Sequence, residues 1–600
     1  MKKTDTIKIA FKIFIKSGKS TSILLCVLYM AISLVPSGLL IVNKRIFEEF
    51  SAESFSLQLV CFLIAGYVFM EFISKLLSYF QSVLSFQASY RIRMMIQKDI
   101  HSKLLAMNYI EFDNPDTRDL ISRVSSSVPG KSSELVFGFL DAFSMVIQIV
   151  FALIILMNIH WLIPVTLVFF TLPYVFLYKK MCFDQYFLKV NQGKEYRKNW
   201  YLIQMLFDKN FNKELKIYDC FDYMGKKEQD INIKLHRESY AIAKKYSLFT
   251  ILLDVIKGIG KGFCILISIY LILFQNASLA ALTVPIESMD SMQNGLLKLF
   301  SKVKDFNSAL LLFNDYMKFL NIDSEEPGLE GELQDRKREP FLAVNHLSFG
   351  YPAKPNVLKD ISFAIYSGEK VAIVGENGSG KTTLVNLLLG LYKPDQGNIE
   401  VLGTDLRQCF AQLRKKVVYI MQNLPQYGFS IEENLYFDQK LMKEHILEIL
   451  DIDEIARKAP KGYQTMLGEE NDDQYNISGG ERAKLGIARN CQKEKPLLYI
   501  FDEPTAALDP IAESKIFESF DQITQNTTSI FISHRLGMVK LADKIIVMEH
   551  GEIKEFGTHE SLIREKGTYY QMYLKQLKLY QRGKQSENTV SESKNRRYKR

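Results

Sequence analysis

The chain has 600 residues, too many for one hydrophobic core, so two or more domains are expected. Hydrophobic residues make up 48% of it and are concentrated in the first half, which excludes a wholly soluble protein. Part of the net charge of +8 lies in a basic C-terminal tail, which we interpret as a solvated, disordered segment beside an anionic membrane and not as a nucleic-acid site. The seven cysteines form no CxxC pair, so neither a disulfide framework nor a zinc site is indicated.

The N-terminal residues predict a helix on the membrane surface. Residues 4–16 alternate apolar positions with lysines, a pattern typical of an amphipathic helix in the membrane interface. The apolar stretch that follows has no convincing small-residue cleavage site, so we interpret it as a membrane span and not as a signal peptide.

Apolar stretches in the first half predict membrane-spanning helices. Crossing a hydrocarbon core of about 30 Å takes roughly 20 residues of helix. The fifth apolar stretch is short unless its helix begins earlier, near Tyr246. Trp161 lies where the third stretch meets the fourth, and a tryptophan there fits the aromatic belt at a membrane interface. The predicted spans are residues 20–43, 57–70, 135–159, 161–178, 262–274 and 279–302.

Two long polar segments separate these spans. Residues 83–131 and 181–245 are rich in charge and mostly helical in pattern. They are too long for simple turns, and their excess of lysine and arginine predicts a cytoplasmic location. We expect them to be docking arms for the second half of the chain.

A charged stretch containing Gly and Pro, residues 324–340, predicts a linker, and strands alternate with helices beyond it, as in an α/β domain.

A phosphate-binding loop is predicted between the β-branched run 371–374 and an apolar helical pattern. Its glycines expose backbone N–H groups to an anion, and the helix N-terminus behind it adds roughly half a positive charge. The loop comprises Gly375, Glu376, Asn377, Gly378, Ser379, Gly380, Lys381, Thr382 and Thr383.

The predicted chemistry of this loop is ATP binding with Mg²⁺. Lys381 is suited to reach the β- and γ-phosphates, and the Thr382 hydroxyl to ligate Mg²⁺. A buried strand further on ends in two carboxylates. Asp502 is predicted in the Mg²⁺ shell, and Glu503 is predicted to orient the water that attacks the γ-phosphate.

Topology supports the sixth span, which Glu287 and Asp290 interrupt. The six lysines among the first 19 residues predict a cytoplasmic N-terminus. The ATP site must also be cytoplasmic, because ATP is there. Both ends on one side require an even number of crossings, so we place the last one in residues 279–302.

The sequence Ile477-Ser478-Gly479-Gly480-Glu481 resembles the signature motif of ATP-binding-cassette (ABC) ATPases. Other motifs of that family follow the same order along residues 341–560. The resemblance implies that the switch histidine is catalytic beside Glu503, that the glutamine loop contacts nucleotide and Mg²⁺, and that an aromatic residue stacks on adenine. The matching residues are His534 for the switch, Gln422 for the glutamine loop, Tyr351 for the aromatic residue, Asp509 for the dimer-facing aspartate, and Ser478, Gly479 and Gly480 for the signature.

Two departures from the family pattern stand out. The signature usually opens with Leu and ends in Gln, whereas this chain has Ile477 and Glu481. The preceding segment, residues 467–473, lacks a second glycine. These departures bear on turnover rate and coupling.

The resemblance also implies assembly. In this family two cassettes face each other, and each ATP is held by the phosphate loop of one and the signature of the other. This chain has one membrane half and one cassette, so it needs a partner. Because Lys381, Ser478, Glu503 and His534 are all present, two copies would form two complete sites, which favours a homodimer over a heterodimer.

The arrangement of six spans before the cassette is similar to the exporter class, and 111–123 and 209–218 resemble its two coupling segments. Along most of its length the chain looks like lantibiotic exporters of the nisin and subtilin type. That likeness implies export of a leader-bearing, modified cationic peptide, with peptide-modifying enzymes as further candidate partners. A multidrug or lipid exporter is the nearest alternative, and an ATP-gated sensor or channel regulator is another.

The predicted fold is multidomain: an all-α polytopic membrane domain with six transmembrane helices, followed by an α/β P-loop nucleotide-binding domain. The predicted boundaries are 1–320 for the membrane domain, 321–340 for the linker, 341–575 for the ATPase and 576–600 for the basic tail. The expected location is the cell membrane, with the ATPase domain in the cytoplasm.

Overall fold

The computed structural model describes residues 3–50, 56–275, 278–325, 340–351, 354–437, 443–468, 475–504, 510–533, 536–575 and 577. The chain forms two compact units. The first comprises residues 1–106 and 115–322, and the second comprises 107–114 and 323–600. The predicted linker 321–340 is described only at its two ends, and the predicted tail 576–600 lies outside the described residues apart from Leu577.

The described residues of the first unit form helices joined by short connections. Its helices are α1 (Lys3–Ser17), α2 (Lys19–Phe50), α3 (Leu57–Ala106), α4 (Pro115–Met157), α5 (Leu162–Phe207), α6 (Lys209–Ile217), α7 (Phe221–Gln275) and α8 (Ala280–Leu320). The surface helix predicted at 4–16 is α1, which buries Ala10 and Phe14 on one face and exposes Lys8, Lys12 and Lys16 on the other.

Five described helices are long and apolar enough to cross a membrane: α2, α3, α4, the first half of α5, and α7. They account for the first five predicted spans, except that residues 158, 159 and 161 lie in the turn between α4 and α5. The fifth span belongs to a helix that begins at Phe221, well before Tyr246, so its short apolar stretch is part of a 55-residue helix. The sixth predicted span lies in α8, which is long enough but carries Glu287, Asp290 and Lys298 in that stretch. Six crossings remain a prediction.

The polar segments between the spans are helical, as predicted. The first consists of the second half of α3, a 3₁₀ turn at Tyr109–Phe112 and the start of α4. Residues 107–114, which include this turn, pack with the second unit. Ile110 lies against its hydrophobic core. The second polar segment comprises the end of α5, all of α6 and the start of α7.

The described part of the second unit contains two sheets. A four-stranded antiparallel sheet has the order β2-β1-β4-β5, and a six-stranded sheet has the order β10-β9-β3-β8-β7-β6. The strands are β1 (Leu342–Tyr351), β2 (Lys354–Ile365), β3 (Lys370–Gly375), β4 (Gln396–Val401), β5 (Thr404–Asp405), β6 (Val417–Ile420), β7 (Leu498–Asp502), β8 (Thr528–Ile532), β9 (Lys544–Glu549) and β10 (Glu552–Gly557).

Helices cover the sheets of this α/β unit. They are α9 (Lys381–Leu388), α10 (Leu406–Lys416), α11 (Ile431–Tyr436), α12 (Glu444–Ile449), α13 (Ile452–Lys458), α14 (Gly479–Asn490), α15 (Pro510–Ile523), α16 (Leu536–Val539) and α17 (His559–Glu565). A second 3₁₀ turn lies at Gly462–Gln464.

The six-stranded sheet positions the predicted site. Every residue of β7 and β8 is buried, which explains their continuous apolar runs, since parallel strands are covered on both faces. Strands β6, β7, β8, β3 and β9 are parallel. Their carboxyl ends therefore share one edge, where Gly375 ends β3 and Asp502 ends β7.

Candidate nucleotide-binding site

The phosphate loop connects β3 to α9. A Cβ atom at Gly375 would lie 2.2 Å from the carbonyl oxygen of Met548, so only glycine fits where the loop leaves the sheet. Gly380, the residue before α9, has φ +101°, a conformation that also favours glycine. The local sequence therefore requires glycine at both ends of the loop, and the turn directs the N-terminus of α9 into the cleft.

Lys381 spans this loop. Its Nζ donates to the carbonyl oxygens of Gly375, at 2.8 Å, and Glu376, at 2.9 Å. Burial lowers the pKa of the ammonium group, and the nearby charges of Glu503 and Asp502 act in the opposite direction. The hydroxyl of Ser379 is buried and has no hydrogen-bond partner in the described part of the chain. A buried hydroxyl without a partner, inside a loop of backbone donors, fits an anion that would satisfy it.

The carboxylates at the end of β7 differ in their environment. Asp502 is buried, and burial raises its pKa, with the charge of Glu503 acting in the same direction. The hydroxyls of Tyr419, at 3.4 Å, and Thr382 donate to its carboxylate. Asp502 and Thr382, both predicted at the Mg²⁺ site, are therefore direct neighbours.

Glu503 is only partly buried and has a left-handed backbone, with φ +46°. Its N–H group donates to the carbonyl oxygen of Ile532 at 3.0 Å, which anchors this conformation. Gln422, two residues after β6, donates through Nε2 to Glu503 Oε2 at 3.3 Å. The turn after β7 thus places this carboxylate at the edge of the cleft beside Gln422.

Ten of the predicted site residues line one cleft of about 390 Å³. Lys354 and Val357 on β2 also line it, although the sequence argument missed them. A basic residue three positions after Tyr351 was the available signal for Lys354. The predicted residues that line the cleft are Tyr351, Asn377, Gly378, Gly380, Lys381, Thr382, Thr383, Gln422, Asp502 and Glu503.

Tyr351 is held at the rim of this cleft. Its hydroxyl lies 3.1 Å from Oγ1 of Thr383. Its ring packs edge-on against Tyr392, with centroids 5.6 Å apart, and Tyr392 stacks on Phe349 at 5.4 Å. A half-buried ring fixed in this way offers a flat surface to a base.

The signature residues lie apart from this cleft. Ser478 is exposed and caps α14, whose first two residues are Gly479 and Gly480. Glu481 completes a capping box with Ser478, a device that contributes about 1 kcal/mol to helix stability. The other two predicted site residues, Asp509 and His534, lie outside the described residues.

Comparison with known proteins identifies the class. Residues 358–506 match the family described as ABC transporter. A solved structure of a bacterial Atm1-family ABC exporter with ATP bound aligns with a TM-score of 0.75 at 19% identity, covering 92% of this chain and 97% of that chain. The second unit is therefore an ABC transporter ATPase domain, and the chain has the ABC exporter fold. It is an ATP-hydrolysing, multi-pass membrane transporter.

Within that class the chain resembles three curated relatives. The subtilin transport ATP-binding protein SpaT of Bacillus subtilis is 29% identical over 519 residues, 84% of this chain and 82% of the relative. The nisin transport ATP-binding protein NisT of Lactococcus lactis subsp. lactis is 26% identical over 587 residues, which are 95% of this chain and 96% of the relative. An ATP-dependent lipid A-core flippase of Wigglesworthia glossinidia brevipalpis is 28% identical over 508 residues, which are 81% of this chain and 84% of the relative.

Proposed function

We propose that this protein exports a peptide across the cytoplasmic membrane, and that the peptide is a lantibiotic precursor still carrying its leader. The observation that carries this proposal is the extent of the similarity to the subtilin and nisin transport proteins. It covers 84% and 95% of this chain, so it includes the membrane half, where a cargo must pass, as well as the ATPase.

At the ATP site we assign roles from the geometry of the cleft. The loop amides and Lys381 bind the phosphates, and Tyr351 stacks on adenine. Glu503 orients the attacking water and accepts its proton, while Gln422, which contacts Glu503, holds that carboxylate in place. His534 is proposed to contact the γ-phosphate, as the family resemblance implies.

The residues beside Asp502 fit Mg²⁺. The carboxylate of Asp502, the hydroxyl of Thr382 and the amide of Gln422 offer oxygen atoms, the ligands that this hard cation prefers. A bound Mg²⁺ would neutralise charge on the β- and γ-phosphates. The raised pKa of Asp502 is consistent with a buried carboxylate that awaits a positive charge.

We propose a homodimer as the working unit. Ser478, Gly479 and Gly480 do not line the cleft of their own chain, and Ser478 is exposed at the start of α14. A second copy is the partner whose bound ATP they would contact. Each dimer would then contain two ATP sites, each built from both chains. Asp509 is proposed to face the partner.

For the cargo we propose contact with the carboxylates of α8. The amide of Asn43 on α2 donates to Glu287 Oε2 at 2.6 Å. Asn43 is neutral, so the pair keeps the net negative charge of Glu287. A carboxylate in a membrane helix is unfavourable unless it faces water or a partner. We propose that Glu287 and Asp290 line the transport path and attract a cationic peptide.

A transport assay with purified full-length protein tests this function. Proteoliposomes would receive ATP and one of three cargos: a leader-bearing cationic peptide, the same peptide without its leader, or a fluorescent lipid. The proposal requires ATP-dependent accumulation of the leader-bearing peptide and stimulation of hydrolysis by it. Transport of lipid without any response to peptide would overturn it.

The alternative is a multidrug or lipid exporter. It is favoured by the lipid A-core flippase, which is similar over 81% of this chain. In the same assay this alternative requires lipid movement, or efflux of small amphipathic compounds, with no effect of the leader. An ATP-gated regulator would hydrolyse ATP without accumulating any cargo.

A further inference from the structure

The N-terminus of α14 already holds a carboxylate. Glu481 Oε2 accepts hydrogen bonds from the backbone N–H and from the hydroxyl of Ser478, both at 2.9 Å. The N–H of Glu481 in turn donates to Ser478 Oγ at 3.2 Å. The hydroxyl proton proposed to contact the partner's ATP is therefore directed at Glu481 in this structure.

A phosphate and the Glu481 carboxylate would compete for the Ser478 hydroxyl, because both are anions. The first turn of a helix attracts anions because it carries about half a positive charge. An oxygen accepting from Ser478 Oγ at the usual ~2.7 Å lies within about 5.6 Å of Glu481 Oε2. A phosphate that takes up this bond must therefore displace the carboxylate from the hydroxyl and remain beside its negative charge. A glutamine could form the same capping box without that charge.

Lys458, the last residue of α13, offsets part of this charge. Its Nζ lies 3.9 Å from Glu481 Oε1 and 2.9 Å from Glu454 Oε1. Its side chain is 56% exposed, whereas that of Glu481 is 26% exposed. The lysine is thus shared between two carboxylates and screened by solvent, so its compensation is partial.

We propose that Glu481 is a positioning residue that restrains closure of the ATP site: it holds the Ser478 hydroxyl and competes with the γ-phosphate, while Lys458 moderates the competition. The inference rests on the proposed composite site and adds a regulatory element to it. In physical terms, Glu481 raises the ATP concentration at which the two cassettes close.

Steady-state hydrolysis by the full-length protein tests the inference, with KM for ATP and kcat measured separately. Glu481→Gln should lower KM about tenfold, the effect of removing a like charge at this distance. Lys458→Gln should raise KM several-fold. The double variant should match Glu481→Gln within about twofold, because Lys458 acts through Glu481. Glu560→Gln, the same charge change at a side chain that is 82% exposed, is the matched control and should leave KM unchanged.

The outcomes separate the inference from the proposed function. An unchanged or raised KM in Glu481→Gln would overturn the inference, as would a Lys458→Gln effect that persists in the double variant. Because Lys458 is largely exposed, its substitution tests the idea even if Glu481→Gln folds poorly. If Ser478→Arg leaves hydrolysis intact, the composite site itself fails. If Ser478→Arg abolishes hydrolysis while Glu481→Gln changes nothing, only the restraint fails.

Discussion

The hydroxyl of Tyr392 donates a 2.6 Å hydrogen bond to Oδ2 of Asp113. The two residues are 279 positions apart, yet both belong to the ATPase unit, because residues 107–114 pack with it. The Tyr392 ring also contacts Tyr351 at the cleft and Tyr109 in the same short segment. Chain continuity connects this segment to α3 and α4. The pair therefore holds the segment between α3 and α4 close to the proposed adenine-stacking residue, within the ATPase unit.

Tyr392→Phe should reduce the stimulation of ATP hydrolysis by cargo more than it reduces basal hydrolysis. The substitution keeps the ring contacts but removes the hydrogen bond, and a bond to a charged group contributes about 1.5–3 kcal/mol. We expect basal ATP hydrolysis to stay within about threefold of wild type and cargo stimulation to fall about tenfold, as such an energy permits. Tyr366→Phe, at an exposed tyrosine of the same unit, is the control. Equal stimulation in both variants would contradict the link.

Glu503→Gln should nearly abolish hydrolysis and preserve ATP binding. The amide keeps the shape of the side chain but cannot accept a proton from water, and loss of a positioned base costs about 10²-fold or more in rate. Phosphate release and nucleotide binding should be measured on the same preparation. Hydrolysis within a few-fold of wild type would assign the role to another residue.

The phosphate loop and the carboxylates after β7 could be predicted from sequence because their chemistry is local. A glycine-rich turn and a buried strand each specify their own conformation, and parallel strands bring their ends together. The bond from Tyr392 to Asp113 could not be predicted, since it joins distant segments and neither residue lies in a motif. The capping box of Ser478 and Glu481 follows from the spacing Ser-x-x-Glu, but the same glutamate also departs from the glutamine of the family signature, and the family pattern alone does not predict the cap.

The membrane unit was predicted from apolar length, and this worked where polar residues are few. It was weakest for α8, in which Glu287, Asp290 and Lys298 dilute the apolar stretch. The full length of the helices was also missed, because α7 continues as a polar arm beyond the apolar residues. Hydropathy reports where a helix meets lipid, not where the helix begins.

The buried thiols of the ATPase unit should resist alkylation. Burial raises the pKa of Cys409 to about 11, with the charge of Asp405 adding to it, and burial raises the pKa of Cys491 to about 12. At pH 8 the reactive thiolate is therefore scarcer in the folded chain than in the unfolded one. Any stability gained from these thiols is present below an unfolded pKa of about 8.5 and declines as the pH rises towards the folded values.

Iodoacetamide labelling followed by mass spectrometry measures this protection. Cys220, which is only partly buried, should be modified before Cys409 and Cys491, which are buried. Cys409 and Cys491 should react only when denaturant unfolds the unit. Labelling of all three at one rate in native buffer would contradict the packing described for these thiols.

Mixed dimers test the composite ATP site. Ser478→Arg should block the site whose phosphate loop is on the other chain, because a bulky cation replaces the hydroxyl that is proposed to contact the γ-phosphate. Lys381→Ala should block the site on its own chain. In a dimer with one copy of each variant, one site carries both lesions and the other carries neither. Verified mixed dimers should regain partial hydrolysis, and complete inactivity would argue against independent composite sites.

Neutral variants of the carboxylates of α8 distinguish a role in helix packing from a role in binding cargo. Glu287→Gln with Asp290→Asn removes two negative charges and keeps the side-chain shapes; the side chain of Asp290 lies outside the described part of the structure. If cationic peptide is attracted to these charges, basal hydrolysis and thermal stability should be retained while peptide export weakens. Asn43→Ala is the matched control, since it removes the hydrogen bond to Glu287 but leaves its charge, so export should persist. Normal export by the double variant would assign Glu287 and Asp290 to helix packing. So would failure to fold of both the double variant and Asn43→Ala.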